Sequence, residues 1–517
     1  MQVADVLRVI YALLALGVLA AGRWQGAARV ARAALLVAAG ANILFVAFLC
    51  ANHVTFPLHL DLMEGTVLQH FRQIMAGQPI YPAPTPEYVP LAYNPLYYVL
   101  AVPFGWLLGA DLPTLRLVAI LGWALSALIL YAVVREKTRS TWWAWLAVGL
   151  FAAAYRVMDA YLDTAHSDSW LLGAALLGTY LLEKERSRAA TWGGVAVLVA
   201  AFWFKQHGAL FVIGGLAYVT WRDGLRRAWP SWAVAIVLGP LAYLFLGPRL
   251  FGPYLHYFTW RVPAAWTELG LATFRRLAVF VAKSYPVLAV ATLYGLASAP
   301  IWRPRRVSIW QVQGIMAALT ALMGALDSGS SNNVFIAMGA WLILLGALAL
   351  HAFAAAHVTG WQSRLPLAAL ACSLAFLAYN PADVIVPSGA GAAYADLVTV
   401  LRSLDGPVYA PTLGQLRADY TLYPAAHWVA LEDLVRGPGR DTQNAPLVRA
   451  LLRPALEPTG QAYILANLPL DAYPVTAFLE EDYVLETDLG DRFRVLRALP
   501  GRFESGWPRY LYRYASR

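Results

Sequence analysis

The stretch PLHLDLMEGTVLQHFRQIMAGQPIYPAPTPEYVPLAYNPLYY, residues 57–98, follows directly on an apolar segment and carries two carboxylates, Asp61 and Glu64, near its start. An acid beside a membrane segment is often only a solvated residue that marks where the chain leaves the bilayer. The alternative is a catalytic pair held at the membrane surface. The rest of the sequence bears on this choice, because it predicts which other polar groups share the same face of the membrane.

The composition predicts an integral membrane protein. Hydrophobic residues make up 60% of the chain and charged residues 13%, and the mean hydropathy is +0.54. These values are not those of a soluble fold. The two cysteines, Cys50 and Cys372, lie in apolar stretches, which argues against a disulfide framework. The first apolar segment lacks a basic start and a clear cleavage site, so we expect it to be retained as a helix.

Apolar stretches close to the length of a membrane-spanning helix predict about twelve crossings, and therefore a mainly α, polytopic helical bundle. They lie at about 3–22, 31–52, 115–134, 142–157, 169–182, 190–204, 208–221, 231–247, 277–299, 308–326, 334–355 and 365–381. The segment PLYYVLAVPFGWLLG at 95–109 is short for a bilayer. We expect it to be a helix that lies in the interface without crossing.

Basic residues occur in every second predicted loop, and this alternation predicts the orientation of the chain. These residues are Arg23, Arg29, Arg32, Arg135, Lys137, Arg139, Arg186, Arg188, Arg222, Arg226, Arg227, Arg303, Arg305, Arg306 and Arg364. Their loops are predicted to be cytoplasmic. Both termini and the segments 53–114, 158–168, 205–207, 248–276 and 327–333 are then extracytoplasmic.

The character of the sequence changes after residue 382, where charges, turn residues and short β-rich runs appear. The runs are GPVYAPT, AYILANL, YVLETDL and FRVLRAL. They predict a membrane domain over 1–382, including the outer loop 53–114, and a small extracytoplasmic α/β domain over 383–517. The net charge of +9 follows from the basic loops of the membrane part, so no nucleic-acid partner is needed to explain it.

Polar residues that are unusual in a membrane protein cluster on the predicted outer face. The segment YRVMDAYLDTAHSDSW carries Asp163, His166 and Asp168, FWFKQHG carries Lys205 and Gln206, and LDSGSSNNVF carries Asn332 and Asn333. A lysine at the end of an apolar run is costly, which makes Lys205 a functional candidate, although its side chain could simply snorkel. The acidic residues before the fifth span could cap that helix, and the paired asparagines could form a turn.

These segments resemble the GT-C superfamily of membrane glycosyltransferases, in its protein-mannosyltransferase and aminoarabinose-transferase-like branch. The likeness rests on the acidic pair with the following GQPIY and YNPLYY, on SDSWLLGAALLGTYLL, FKQHG and SNN, and on the outer C-terminal domain. It implies a multi-pass protein of the cell (inner) membrane that uses polyprenyl-phosphate-linked sugars as donor substrates on the extracytoplasmic face. The family's adjacent Asp-Glu pair is here Asp61-x-x-Glu64, which leaves open which carboxylate is the base.

The chemistry implied by the resemblance is an inverting transfer of a monosaccharide to a hydroxyl of an envelope glycan, lipid or protein. A carboxylate, Asp61 or Glu64, would take the acceptor proton, and their i, i+3 spacing on a helix would let both face one cavity. Lys205 would stabilise the leaving phosphate. The further candidates for binding the donor phosphate are Gln206, Arg249 and Arg261, and those for binding the substrate are Tyr93, Asn94, Asp163, His166, Asp168, Asn332 and Asn333.

Three alternatives remain open at this point. His59, Asp61, Asp163 and His166 could bind a divalent metal, although no tight ligand spacing supports this and we expect no cofactor to be required. A lipid-linked-sugar transporter or flippase would also carry intramembrane charges, but the polar groups lie at one face and no inverted repeat is visible. A non-catalytic envelope assembly protein would bind the donor without transferring its sugar.

Overall fold

The computed structural model of the chain describes residues 2–20, 25–184, 187–298, 307–413, 425–437, 445–458, 460–499 and 506–515. Five of the arginines used for the orientation, Arg23, Arg186, Arg303, Arg305 and Arg306, lie outside the described residues.

Helices form where the apolar stretches of the sequence predict them. Those of the membrane part are α1 (Val3–Ala20), α2 (Gln25–Val54), α3 (Met63–Met75), α4 (Leu96–Leu108), α5 (Leu112–Thr138), α6 (Thr141–Ala153), α7 (Asp168–Glu183), α8 (Arg188–Phe204), α9 (Ala209–Asp223), α10 (Leu225–Ile236), α11 (Gly247–Phe251), α12 (Val262–Ala264), α13 (Leu271–Ser284), α14 (Pro286–Ser298), α15 (Ile309–Ala325), α16 (Ile336–Ala356) and α17 (Leu365–Leu377). Wider π-helical turns at Val237–Leu246 and Tyr257–Arg261 connect α10 to α11 and lead into α12.

Several helices are long and apolar enough to cross a bilayer. Among the described residues five helices meet this condition, or six if one bent pair is counted as a single span. They include α2 and α5, with 30 and 27 residues. At 1.5 Å per residue such lengths exceed the hydrocarbon thickness of about 30 Å. The chain is therefore that of a multi-pass membrane protein, while the count of twelve crossings stays a prediction.

The predicted single span at 277–299 is wrong in one respect, because it is not one straight helix. It divides into α13 and α14, which meet at an angle of 100°. Pro286 begins α14, and the residue before a proline is disfavoured in the helical conformation. Ser284 accordingly ends α13 and Tyr285 lies between the two helices with φ −131° and ψ 29°.

The outer loop consists of α3, an extended stretch and α4. Its proline-rich part runs without a helix from residue 78 to residue 94, as proline rings and their missing N–H groups would dictate. The backbone of Tyr81 pairs with the loop after α11: its N–H donates to the Phe251 carbonyl over 2.8 Å, and its carbonyl accepts from the Tyr254 N–H over 3.1 Å. These bonds fix the extended stretch over the bundle.

A four-stranded sheet forms in the C-terminal part of the chain. The strands are β1 (Val408–Tyr409), β2 (Tyr463–Ala466), β3 (Tyr483–Asp488) and β4 (Tyr510–Tyr514), in the order β1-β2-β4-β3. β1 and β2 are parallel and the other neighbours are antiparallel. The helices beside them are α18 (Ala390–Arg402), α19 (Trp428–Val435), α20 (Pro446–Leu451) and α21 (Arg453–Leu456). A small α/β unit is thus present.

One predicted strand of this unit is wrong. The run FRVLRAL contains a short 3-10 helix at Arg494–Leu496, and the fourth strand of the sheet is β4, which lies between β2 and β3. Phe493 and Leu496 are buried against α18, so the run contributes side chains to the core at a helical spacing of three residues.

The first residues of the outer loop belong to the core of the C-terminal unit. Phe56, Leu58 and Leu60 are buried in one cluster with Leu397 of α18 and Leu465 of β2. The Leu499 N–H donates to the Leu60 carbonyl over 2.9 Å. The C-terminal unit is therefore packed directly against the segment that precedes Asp61.

Candidate active site

Glu64 and Arg116 form a buried ion pair beneath the outer loop. Glu64 lies in the first turn of α3 and Arg116 in the first turn of α5, and their side chains are 1% and 0% exposed. The guanidinium binds the carboxylate through two bonds, Nε to Oε1 at 2.9 Å and Nη2 to Oε2 at 2.6 Å. This paired geometry is the strong form of an arginine–carboxylate interaction.

The remaining hydrogen-bonding capacity of both groups is also used. The carboxylate accepts from the Leu60 N–H at 2.6 Å and from the Ala165 N–H at 2.7 Å. The guanidinium donates to the carbonyls of three residues that precede Asp61, His53, Phe56 and Leu58. With five bonds on Arg116 and four on Glu64, the pair has no free site for an acceptor hydroxyl. This geometry argues against Glu64 as the general base and indicates that it holds the segments before Asp61 and Asp168.

Replacing Arg116 by Met is expected to lower the free energy of unfolding by about 3–5 kcal/mol, because it leaves a buried carboxylate and three backbone carbonyls without their donor. Thermal and denaturant unfolding of the purified protein in detergent measures this loss. Arg226→Met is the matched control, since Arg226 is exposed on α10 and its loss should change stability by no more than about 0.5 kcal/mol. Equal stability of the two variants would contradict the structural role.

Asp61 differs from Glu64 in its surroundings. It is partly exposed, its Oδ1 accepts the Met63 N–H at 2.9 Å, and the Tyr161 hydroxyl binds the same carboxyl. Among the described residues it has no cation partner. Burial raises the pKa of Asp61 to about 7, against the lowering effect of these two hydrogen bonds. A carboxylate with a pKa near neutrality suits general-base catalysis.

Lys205 lies where the sequence places it, at the end of α8, but it is not a free cation. Its side chain is 6% exposed, and Nζ donates to Oδ1 of Asp168 at 2.9 Å. Asn333 donates to the other oxygen of Asp168 at 3.1 Å, and His166 contacts that oxygen too. The ammonium also lies 5.0 Å from the ring centre of Tyr93. A lysine has three N–H donors, so this arrangement fixes the ammonium and leaves donors for a ligand.

Lys205 and Tyr93 line a cavity of about 500 Å³. Its polar side carries Tyr93, Tyr161, Lys205 and Asn333, together with Leu62 and Met63 next to Asp61. An apolar part of the lining is formed by residues of α9, α15 and the segment before α12, namely Leu210, Ile213, Trp260, Met323 and Leu326. Asp61 itself is at the margin, in contact with Tyr161 and two residues from Met63.

The C-terminal unit supplies one wall of the cavity, which the sequence analysis missed. Arg436, directly after α19, stacks on Trp266 with its guanidinium carbon 3.9 Å from the ring centre. Its Nη2 lies 3.2 Å from Asp433 and 3.7 Å from Asp327. Burial raises the pKa of Asp433 to about 7 in spite of the neighbouring guanidinium. The signal available in the sequence was Asp433 and Arg436, spaced i, i+3 at the end of an otherwise apolar run.

Other predicted site residues lie elsewhere. Asp163 is buried between His53, at 2.8 Å, and the Tyr155 hydroxyl, at 2.6 Å, and Asn94 donates to the Phe202 carbonyl. The Asn332 backbone N–H donates to Asp159 at 2.6 Å. None of Asp163, Asn94 and Asn332 is among the residues that line the cavity. Their contacts are those of residues that hold the surrounding loops.

The predicted phosphate ligands other than Lys205 also separate in space. Gln206 lines the cavity, but its amide nitrogen donates to the carbonyls of Ala92 and Thr259. Arg249 and Arg261 are exposed and do not line it, and Arg249 donates to the Phe245 carbonyl of its own turn. Arg436 is the arginine that lies at the cavity in their place.

The four residues considered as metal ligands do not come together, because Asp163 pairs with His53 and His166 contacts Asp168. Within the described part of the chain, no group of three or more His, Cys, Asp or Glu side chains is placed to hold an ion. The expectation that the reaction needs no metal stays a prediction.

Comparison with solved structures identifies the fold. Two crystal structures of ArnT from Cupriavidus metallidurans match the chain, one in the apo state and one bound to undecaprenyl phosphate. Their TM-scores are 0.53 and 0.52, with 17% sequence identity, over 92% of this chain and 98% of theirs. No protein-family model matches the sequence, and no curated protein matches it. The resemblance to the aminoarabinose-transferase-like branch of the GT-C superfamily is thereby confirmed at the level of the fold.

Proposed function

We propose that the chain is a membrane glycosyltransferase that moves a monosaccharide from a polyprenyl-phosphate donor to an acceptor hydroxyl of the cell envelope on the extracytoplasmic face. The observation that carries this proposal is the cavity, which has a fixed cation, Lys205, and an apolar wall, with Asp61, a carboxylate without a cation partner among the described residues, at its margin beside Leu62 and Met63. The fold supports it, because an ArnT structure of the same fold is bound to undecaprenyl phosphate.

The apolar wall suits the lipid part of such a donor. Ile213, Trp260 and Met323 line the cavity and are 54%, 68% and 46% exposed. In a membrane, exposed apolar side chains of this kind face lipid. The cavity is therefore open sideways to the bilayer, and a polyprenyl chain could leave along this wall while its phosphate stays at Lys205.

The reaction follows from the positions of the charged groups. Asp61 takes the proton of the acceptor hydroxyl, and the freed oxygen forms a bond to the anomeric carbon of the sugar. The bond from that carbon to the phosphate oxygen breaks, and polyprenyl phosphate leaves with its electron pair. Lys205 and Arg436 stabilise the charge that develops on the phosphate. A single displacement of this kind inverts the anomeric configuration.

The pH dependence of transfer is the first consequence. Asp61 must be ionised to accept a proton, and burial raises its pKa to about 7. The second-order rate constant kcat/KM should therefore be constant above about pH 8 and fall about tenfold for each pH unit below about 6. Initial rates of product formation between pH 5 and pH 9 measure the profile.

Asp433 is the necessary control, because its pKa is also raised to about 7. An Asp433→Asn variant should keep the midpoint of the profile even if its overall rate falls. Disappearance of the midpoint in that variant would assign the titration to Asp433 and contradict the role given to Asp61.

The proposed function is tested with purified full-length protein in lipid nanodiscs. A panel of labelled polyprenyl-phosphate monosaccharides is supplied with an envelope extract as acceptor, and release of polyprenyl phosphate is followed together with the configuration of the product. We expect turnover with at least one donor and an inverted product. Donor binding without release would favour the assembly protein, and movement of intact donor across the bilayer of closed vesicles that contain the same protein would favour the flippase.

A further inference from the structure

A second cavity lies at the end of the bundle opposite the candidate active site. Helix α5 begins beside Glu64 and runs for 27 residues, about 40 Å at 1.5 Å per residue. Its far end, together with α7, forms an open depression of about 590 Å³. The depression is lined by Tyr131, Ala132, Arg135, Glu136, Arg139 and Tyr180. It lies on the face that the basic loops predict to be cytoplasmic.

The charges around this depression are unbalanced. Two lysines at its edge are neutralised, since Lys184 pairs with Glu136 and Lys137 pairs with Glu183. Arg135 and Arg139 are exposed, and within the described part of the chain neither has an ion pair or a hydrogen bond. Two adjacent guanidiniums without partners therefore face the same space.

The turn after α5 holds Arg139 in place. Its φ of 52° is in the left-handed region, where glycine or asparagine usually ends a helix. The buried Thr138 accepts the Ser140 N–H at 3.2 Å, and Ser140 caps α6. Arg139 lies beyond the end of α5 and lines the depression together with Arg135. A residue that is disfavoured in this conformation thus brings a second guanidinium to the depression.

Tryptophans mark the depth of the depression. Trp142, Trp143 and Trp145 lie in the first turns of α6, and the Trp145 ring packs edge-on against Tyr131 with 5.2 Å between ring centres. Trp145 is 46% exposed. Tryptophan and tyrosine are enriched at the level of the lipid headgroups. The two arginines are therefore at the level where phosphates of membrane lipids lie.

We propose that this depression is a binding site for the headgroup of an anionic glycerophospholipid, with Arg135 and Arg139 as its ligands. Guanidiniums bind phosphate oxygens through paired hydrogen bonds, and basic pockets between helices on the cytoplasmic side hold anionic headgroups. This lipid is distinct from the proposed donor, because the two cavities share no lining residue and Tyr131, where the depression begins on α5, lies about 23 Å along the helix from Arg116 at 1.5 Å per residue. Its binding would anchor the α5–α6 turn and does not depend on sugar transfer.

The test is native mass spectrometry of the delipidated full-length protein, titrated with phosphatidylglycerol or with phosphatidylcholine. We expect the double variant Arg135→Gln/Arg139→Gln to bind phosphatidylglycerol about 25-fold more weakly than wild type, about fivefold for each charge lost at a membrane surface. Its weaker affinity for phosphatidylcholine should not change. Arg135→Lys/Arg139→Lys keeps both charges and should lose less than the glutamine variant.

The matched control is Arg226→Gln/Arg227→Gln, which removes two exposed arginines of the same predicted face that do not line the depression. This control should bind phosphatidylglycerol like wild type. An equal loss in both double variants would show general surface attraction and overturn the site, as would unchanged binding in the Arg135/Arg139 variant.

Inorganic phosphate is titrated alone, and if it bound as tightly as the lipid, a soluble anion would replace the lipid as ligand. Unfolding temperatures of all variants confirm that they are folded.

Discussion

Replacement of Asp61 by Asn should lower the rate of sugar transfer by about 10²–10⁴-fold, the usual contribution of a general base. The change removes the proton acceptor but keeps the size of the side chain and its bond from the Met63 N–H. Because the base acts on the acceptor hydroxyl, binding of the lipid-linked donor should persist. The measurements are single-turnover rates with saturating donor and the donor affinity of the same preparation.

Two further carboxylate variants make this result specific. Asp396→Asn changes an exposed residue of α18 that pairs with Arg492, and it should transfer sugar at the wild-type rate. Glu64→Gln should differ from Asp61→Asn by reducing stability, since the Glu64 carboxylate accepts four bonds in the interior. Near-normal turnover by the Asp61→Asn variant would remove Asp61 from the mechanism.

Much of the helical architecture could be predicted, because a membrane imposes long apolar runs that the sequence displays directly. The helix at Leu96–Leu108 was predicted from the length and apolar character of its segment, and it is present. The division of 277–299 was missed although Pro286 signalled it. The prediction of a single span rested on the average hydropathy of the run and did not take account of the restriction that a proline places on the backbone of the preceding residue.

The C-terminal unit was harder to predict, since its strands are short and patterned by tertiary contacts. FRVLRAL has the composition of a strand and forms a 3-10 turn, whereas YLYRY at 510–514 pairs with both β2 and β3. An alternation of apolar and polar residues over only five positions does not distinguish a strand from a 3-10 turn.

The roles within the candidate site depended on partners that are remote in the sequence. The i, i+3 spacing predicted that Asp61 and Glu64 would face one cavity, yet Asp61 precedes α3 and Glu64 turns inward to Arg116, 52 residues away. Arg116 is placed within a predicted span, and nothing local in the sequence indicates its partner. The arginine at the cavity, Arg436, comes from the C-terminal unit, whose docking could not be read from local patterns.

The ion pair of Lys205 determines how its binding of the donor phosphate can be tested. Sequence position alone suggested a cation that either binds phosphate or snorkels. The ion pair with Asp168 adds a third possibility, that the lysine serves only to neutralise a buried carboxylate. Lys205→Met by itself would leave Asp168 unpaired and could weaken donor binding through misfolding.

The informative comparison is therefore Lys205→Met/Asp168→Asn against Asp168→Asn. The asparagine removes the buried carboxylate charge in both proteins, so the two differ only in the side chain of residue 205. We expect the double variant to bind the sugar donor and free polyprenyl phosphate about 10- to 100-fold more weakly, the value of a hydrogen bond to a charged group. Lys283→Met, which removes an exposed lysine at the end of α13, should bind both as wild type does.

The same measurement separates the phosphate from the sugar as the group that Lys205 contacts. If Lys205 binds the phosphate, its loss must weaken binding of donor and product alike, because both carry the phosphate. A loss confined to the donor would place Lys205 at the sugar. If neither affinity changed, Lys205 would serve only to neutralise Asp168, and Arg436, stacked on Trp266 at the opposite wall, would be the cation left to bind the phosphate.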